Sequence, residues 1–128
     1  MNRRTVVRQS SISIAMTPEN TAPEFTLDAS GMARSGDIQI AVTGGPSPLF
    51  VWANATAYGL MVDTSLTGND STLWEVHSTV GMSSVVAYGC LPQFAEEICT
   101  PMELTPGRRY YVSVYGAYPH YGIQEFAV

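Results

Sequence analysis

Segments with strand character recur along this chain every eight to twelve residues, and this spacing limits what the chain can fold into. They are separated by clusters of Gly, Pro, Asn, Asp and Ser, such as TPENTAP, TGGPSP and AYPHYG, which favour turns. No long stretch shows the 3.6-residue apolar period of an amphipathic helix. The pattern therefore predicts an all-β domain, either a sandwich or a barrel.

The strand signals also divide the chain and assign faces to residues. We expect strands over 5–16, 23–29, 36–42, 49–53, 57–64, 72–79, 84–89, 100–104, 109–116 and 122–128. Residues 17–23 have the composition of a linker, so 1–20 is predicted to be an N-terminal strand or tail with its linker, and 21–128 the sandwich domain. Because strand side chains alternate between faces, three sets are each expected to share one face: Tyr58, Leu60 and Val62; Tyr110, Val112 and Val114; Tyr111, Ser113 and Tyr115.

The charge distribution argues against nucleic acid as a partner. Charged residues make up 13% of the chain, the net charge is -5, and there is no lysine. Three of the six arginines fall within the first eight residues, so beyond residue 20 three arginines stand against ten acidic residues, a net charge of -7. Such a surface repels phosphate backbones.

Neither a membrane span nor a signal peptide is expected. No run approaches the roughly 20 apolar residues that a spanning helix needs. Arg3 and Arg4 imitate the basic start of a signal peptide, but the following TVVRQSSISIAM is interrupted by polar residues. We therefore expect either a cytosolic chain or a piece of a longer exported protein.

The stretch LTPGRRYYVSV, residues 104–114, predicts a corner at which the chain passes from one sheet to the other. Pro106 presets its backbone angle and Gly107 tolerates the turn. Tyr110 follows at the distance at which its hydroxyl can bond the backbone just upstream. This is the tyrosine corner of immunoglobulin-like sandwiches.

Over roughly residues 23–128 the sequence resembles the fibronectin type III family. The resemblance rests on the corner and on two strands before it, with these residues: Trp52, Tyr58, Leu60, Val62, Leu104, Pro106, Gly107, Tyr110, Val112 and Val114. The chain is also similar to immunoglobulin-like modules of large exported bacterial proteins, through Pro48, Phe50, Trp52, Tyr88, Gly89, Pro92 and Pro101. The segment between Thr64 and Cys99 is longer than the family's usual middle, and the first 20 residues have no counterpart.

The resemblance implies a single antiparallel β-sandwich of immunoglobulin-like, fibronectin type III-like type. It implies a non-catalytic module, extracellular or at the cell surface, that serves as a spacer or binding domain of an exported bacterial protein. Two alternatives are a carbohydrate-binding module and a self-assembling surface or filament subunit. In the last of these the N-terminal strand would pair with the sheet edge of a neighbour.

Cys90 and Cys99 are the only cysteines, and they bracket the sequence LPQFAEEI. Their spacing fits neither a zinc site nor a redox C-x-x-C pair. We predict a disulfide, which would imply an oxidising compartment. The alternative is two buried free thiols in a cytosolic protein.

Five aromatic residues are not explained as core by the resemblance, and we predict that they form an exposed ligand-binding strip: Trp74, Tyr111, Tyr115, Tyr118 and Tyr121. Flat exposed rings stack on sugars or anchor a protein interface, so a polysaccharide or a protein surface is the expected partner. The alternative is that a second layer of the protein covers them.

No residue pattern predicts catalysis, a metal or a cofactor. His77 and His120 are the only histidines, and a metal site would need a third ligand such as Glu75, Glu125 or Asp63. There is no G-x-S-x-G nucleophile elbow among the many serines. An enzyme is therefore not expected.

Overall fold

A computed structural model of the protein describes residues 24–65 and 71–128, and within them the chain forms ten strands and no helix. The strands are β1 (Thr26–Leu27), β2 (Ala33–Gly36), β3 (Ile40–Val42), β4 (Leu49–Trp52), β5 (Ala57–Asp63), β6 (Thr72–Met82), β7 (Val86–Ala87), β8 (Glu96–Cys99), β9 (Arg109–Tyr115) and β10 (Tyr121–Ala127). The described part of the chain contains no helix long and apolar enough to cross a membrane.

The strands form two antiparallel sheets with the core between them, so the protein is a β-sandwich. Over the described ranges the larger sheet has seven strands in the order β1-β2-β10-β9-β5-β6-β8, and the smaller has three in the order β3-β4-β7. The predicted all-β, antiparallel fold is confirmed at this level. The strand predicted at 5–16 lies outside the described residues.

The core is built from strand residues two apart in sequence, as the alternation predicts. The two central strands of the larger sheet bury four aliphatic side chains almost completely: Leu60, Val62, Val112 and Val114. Each such burial stabilises the fold by about 1.5–3 kcal/mol. Phe50 of β4 meets Phe126 of β10 edge to face, with ring centroids 5.5 Å apart, and this contact joins the two sheets.

The corner before β9 has the turn and the tyrosine bond that its sequence predicts, but it does not carry the chain from one sheet to the other, because β8 before it and β9 after it both belong to the larger sheet. The Tyr110 side chain is buried, and its hydroxyl accepts a hydrogen bond of 2.7 Å from the backbone N–H of Thr105. Gly107 turns the chain with a φ of 86°, in the left-handed region that favours glycine. Its N–H donates to the carbonyl of Val128 at 2.9 Å, which holds the corner against the end of β10.

Removing the Tyr110 hydroxyl should therefore destabilise the fold. We expect Tyr110→Phe to lower the free energy of unfolding by about 1–2 kcal/mol, because the Thr105 N–H loses its acceptor. Tyr111→Phe is the matched control, since Tyr111 lies on the opposite face of the same strand, and it should cost little. Urea denaturation measures both, and equal losses would contradict the assignment of faces.

The predicted strand at 36–42 is instead two strands in different sheets. β2 ends at Gly36, whose φ of 89° turns the chain, and β3 begins at Ile40 on the other side of the core. Between them the N–H of Ile38 donates to the carbonyl of Tyr121 at 3.0 Å. The crossover leaves Asp37 and Gln39 exposed at one end of the sandwich.

Other differences fall in the middle of the chain. β6 runs on to Met82, past the predicted end, and a strand forms at 96–99 in place of the one predicted at 100–104. Tyr58 does not share the inner face with Leu60 and Val62, since a β-bulge between Ala57 and Gly59 shifts the register and leaves it 41% exposed.

A candidate binding cleft at one end of the sandwich

Three connections between strands meet at one end of the sandwich and enclose an open cleft of about 490 Å³. They are residues 37–39 between β2 and β3, 53–56 between β4 and β5, and 116–120 between β9 and β10. Both polar and apolar residues line the cleft, among them Asp37, Ile38, Gln39, Asn54, Thr56, Tyr58 and His120. A concave site of this kind is suited to a small ligand or to the end of a chain.

A histidine–carboxylate pair closes one side of the cleft. His120 Nδ1 bonds Asp37 Oδ2, and the other carboxylate oxygen accepts a 3.1 Å bond from the N–H of Tyr121. The bond from His120 is the main cause that lowers the pKa of Asp37 below 3.8. Asp37 is therefore a fixed, ionised hydrogen-bond acceptor at neutral pH.

The loop that carries His120 is held by its own backbone. The N–H of Gly116 donates to the carbonyl of His120 at 3.0 Å, and the N–H of His120 donates back to Ala117 at 2.8 Å. These bonds close the connection between β9 and β10 as a tight turn. The imidazole thus starts from a defined backbone position rather than a long mobile loop.

Asn54 also lines the cleft, and its backbone explains the residue type. Its φ is 63°, a conformation that asparagine adopts more readily than most side chains. The next residue, Ala55, accepts a 3.1 Å bond from the indole N–H of buried Trp52, so this loop is anchored to the core. Trp52, one of the residues on which the resemblance rests, therefore also positions the cleft.

The predicted ligand-binding role of Trp74 is wrong, because the side chain is completely buried. β6 places it on the inner face, where it packs edge to face against Tyr88 with centroids 5.4 Å apart. Its indole N–H donates to Glu97 at 2.8 Å, which satisfies its one polar atom inside the protein. Trp74 therefore belongs to the core.

The predicted tyrosines are divided between two places. Tyr111, Tyr115 and Tyr121 share the outer face of the larger sheet, and Tyr115 lies directly opposite Tyr121 in the β9–β10 pair. All three are half-buried, and desolvation raises the pKa of Tyr115 above its ordinary value. Tyr118 is 73% exposed, but it belongs to the turn beside the cleft. The five aromatics thus do not form one strip.

The predicted disulfide is also wrong, since both cysteines are free and not near each other. Cys99 lies in β8 opposite Glu75, with its sulfur 3.7 Å from the carbonyl of Thr72. Cys90 follows β7 in an exposed turn, where its N–H donates to the carbonyl of Ala87. The residues between them form a turn and the start of β8, which separates the thiols and removes the cysteine argument for an oxidising compartment.

The remaining candidates for chemistry do not assemble into a metal site within residues 24–65 and 71–128. No group of three or more His, Cys, Asp or Glu side chains is found there. His77 pairs with Glu75 two residues earlier on the same strand, at 2.8 Å, and its side chain is 52% exposed. The two histidines lie at different places, and each has a carboxylate of its own.

Comparison with known proteins adds no relative to this picture. No family model matches the chain, and no curated protein and no solved structure matches it.

Proposed function

We propose that this protein is a non-catalytic binding module of an exported bacterial protein, and that the cleft at the end of the sandwich is its binding site. The observation that carries the proposal is the cleft itself, which three anchored connections enclose. A concave site lined by polar groups favours a binding role over that of a spacer alone. A binding role on a rigid β-scaffold with the site in its loops is a common arrangement.

The order of the strands supports a fibronectin type III-like fold for this module. If β3 is counted as the first strand, the smaller sheet holds the first, second and fifth strands, β3, β4 and β7. Immunoglobulin-like sandwiches keep these three strands together and place the last two strands beside the third. In this protein the last two strands, β9 and β10, likewise lie beside the third strand, β5. The tyrosine corner comes directly before β9.

The polar groups of the cleft favour a neutral, hydroxyl-bearing ligand, such as a sugar unit of a polysaccharide. Asp37 is a hydrogen-bond acceptor, Asn54 supplies both a donor and an acceptor, and Tyr58 adds part of an aromatic ring. The surplus of acidic residues over the domain disfavours anionic ligands. Vicinal hydroxyls of a sugar match this mixture of donors and acceptors beside a ring.

The environment of the histidine–carboxylate pair favours binding over catalysis. The side chains of His120 and Asp37 are 58% and 54% exposed, so both stand largely in water. Catalytic groups are usually desolvated so that their pKa values move towards the working pH. The pKa of Asp37 moves in the other direction, which keeps the carboxylate an acceptor and not a proton donor.

Binding to neutral oligosaccharides tests the proposal. Soluble gluco-, xylo-, manno- and chito-oligosaccharides are titrated into the isotope-labelled protein, and amide shifts are followed by NMR. We expect shifts at the cleft for at least one of them. Asn54→Gly should lower its affinity about tenfold, the effect of losing one or two hydrogen bonds. Glycine tolerates the positive φ at this position, so the backbone is not strained by the change.

Tyr111→Ala provides the comparison with the outer tyrosine face. It should leave binding unchanged if the cleft is the site, whereas loss of binding with this variant would move the site to the outer face. If neither the cleft nor the outer face responds to any oligosaccharide, the protein is not a sugar-binding module.

A further inference from the structure

The outer edge of β8 is a second feature that the cleft does not explain. β8 is the last strand of the larger sheet, and over the described ranges only β6 pairs with it. An edge strand presents a row of backbone donors and acceptors to which another chain can add. Proteins protect such edges or use them for binding.

The segment that forms this edge has three exposed apolar side chains, one in the turn before β8, one in β8 and one after it. Phe94, Ile98 and Met102 follow one another at intervals of four residues and are 74%, 52% and 58% exposed. The segment runs along β6, since Phe94 accepts a bond from Ser78 near one end and Met102 donates to Leu73 near the other. Exposed apolar residues in a row mark a protein interaction site more often than isolated ones do.

The charge of the edge indicates which partner it fits. Residues 90–104 contain no arginine or lysine, and two of their three glutamates, Glu96 and Glu103, are exposed, while Glu97 accepts the bond from Trp74. Two copies of the same acidic edge would repel each other, whereas a segment that combines apolar and basic side chains would match it. Residues 3–16 of this chain, RRTVVRQSSISIAM, have this composition and include three of the six arginines.

We propose that residues 3–16 of one copy bind along the β8 edge of a second copy. Residues 3–16 lie outside the described residues. The first described strand, β1, lies at the opposite edge of the same sheet from β8. Because residues 3–16 precede β1 in the sequence and β8 is the far edge of the sheet, a contact between them would join copies head to tail and repeat from copy to copy.

Sedimentation velocity of the full chain at increasing protein concentration tests this. The wild-type protein should form a concentration-dependent series of oligomers, and the series should shorten at high salt because the matching charges are screened. Ile98→Lys should lower the association constant about tenfold or more, since it places a positive charge where the arginines bind. Val51→Lys is the matched control, because Val51 is also exposed but lies on the smaller sheet, and it should have no effect.

Charge reversal gives the decisive comparison. Glu96→Arg, and the joint replacement of Arg3, Arg4 and Arg8 by Glu, should each weaken association, and the two changes combined should restore part of it. Circular dichroism confirms that every variant is folded. A wild-type protein that stays monomeric would overturn the proposal, and so would equal effects of Ile98→Lys and Val51→Lys or a failure of the combined variant to recover. Sugar binding at the cleft is unaffected by any of these results.

Discussion

Replacement of Gly122 by alanine is expected to lower the free energy of unfolding by about 3 kcal/mol or more, one of the largest effects of any single methyl group in this protein. A Cβ at this position would lie 2.0 Å from the carbonyl oxygen of Ile38 and 2.9 Å from its carbonyl carbon. Both are backbone atoms, so no side chain can rotate away. The substitution should also disturb the cleft, since Asp37 belongs to the crossover that passes over Gly122.

Gly44→Ala is the matched control for this substitution. A Cβ at Gly44 would meet no atom within 4 Å, and its backbone does not need the left-handed region. Its free energy of unfolding should stay within about 0.5 kcal/mol of the wild type. Urea denaturation followed by tryptophan fluorescence measures both variants, and similar midpoints for the two would show that the crossover does not pack as closely as described.

The features predicted correctly from the sequence are those set by neighbouring residues. Rules that operate within a few residues are enough to predict the turn at Gly107 and the inward direction of Tyr110. The same rules place Val112 and Val114 on the inner face with Tyr110. They lie in one continuous segment, and β9 is also the central strand of the larger sheet. The local pattern was therefore enough to predict the part of the core that this segment forms.

The errors concern residues whose surroundings come from distant parts of the chain. Trp74 is buried because β6 lies inside the larger sheet, with β8 beside it and Tyr88 against its ring. Cys90 and Cys99 are only nine residues apart, yet a turn and a new strand separate them. Spacing in sequence gives the length of a loop but not its path.

The cleft could not be predicted for the same reason. Its polar groups come from three connections, and Asp37 and His120 are 83 residues apart in sequence. They meet because the crossover from β2 to β3 is fixed against β10 through the bond between Ile38 and Tyr121. The sequence did contain one signal, the asparagine at position 54, which is a residue that tolerates a left-handed turn.

A buried carboxyl on the outer face of the larger sheet should make the stability of the protein depend on pH. Asp63 is only 7% exposed at the end of β5. Thr72 donates to it at 2.8 Å and Ser71 at 3.4 Å. Burial, with a smaller effect of the charge on Glu75, raises its pKa from 3.8 to about 7. Between these two pH values the folded protein therefore keeps a proton on Asp63 that the unfolded chain releases.

The sign of the effect follows from this difference. Stability from the protonated Asp63 is fully present below pH 4, falls as the pH rises from about 4 to 7, and is lost above that. A rise in pKa from 3.8 to about 7 corresponds to about 4 kcal/mol as an upper bound. Asp28 and Asp37 have the opposite effect on the pH dependence, because hydrogen bonds lower their pKa values. The stability that they contribute is lost only in acid, below the pH range in which Asp63 titrates.

Asp63→Asn isolates the contribution of this carboxyl, because the amide keeps the size of the side chain and cannot ionise. At pH 8 we expect the variant to be more stable than the wild type by up to about 4 kcal/mol, and near pH 4 the difference should vanish. Urea denaturation at intervals between these values should show a falling curve for the wild type and a flatter one for Asp63→Asn. Glu103→Gln, which removes an exposed carboxylate, should leave the slope of the wild type unchanged. If Asp63→Asn is less stable than the wild type at pH 8, the ionised carboxylate is stabilised by the fold, and the burial of Asp63 does not hold its proton.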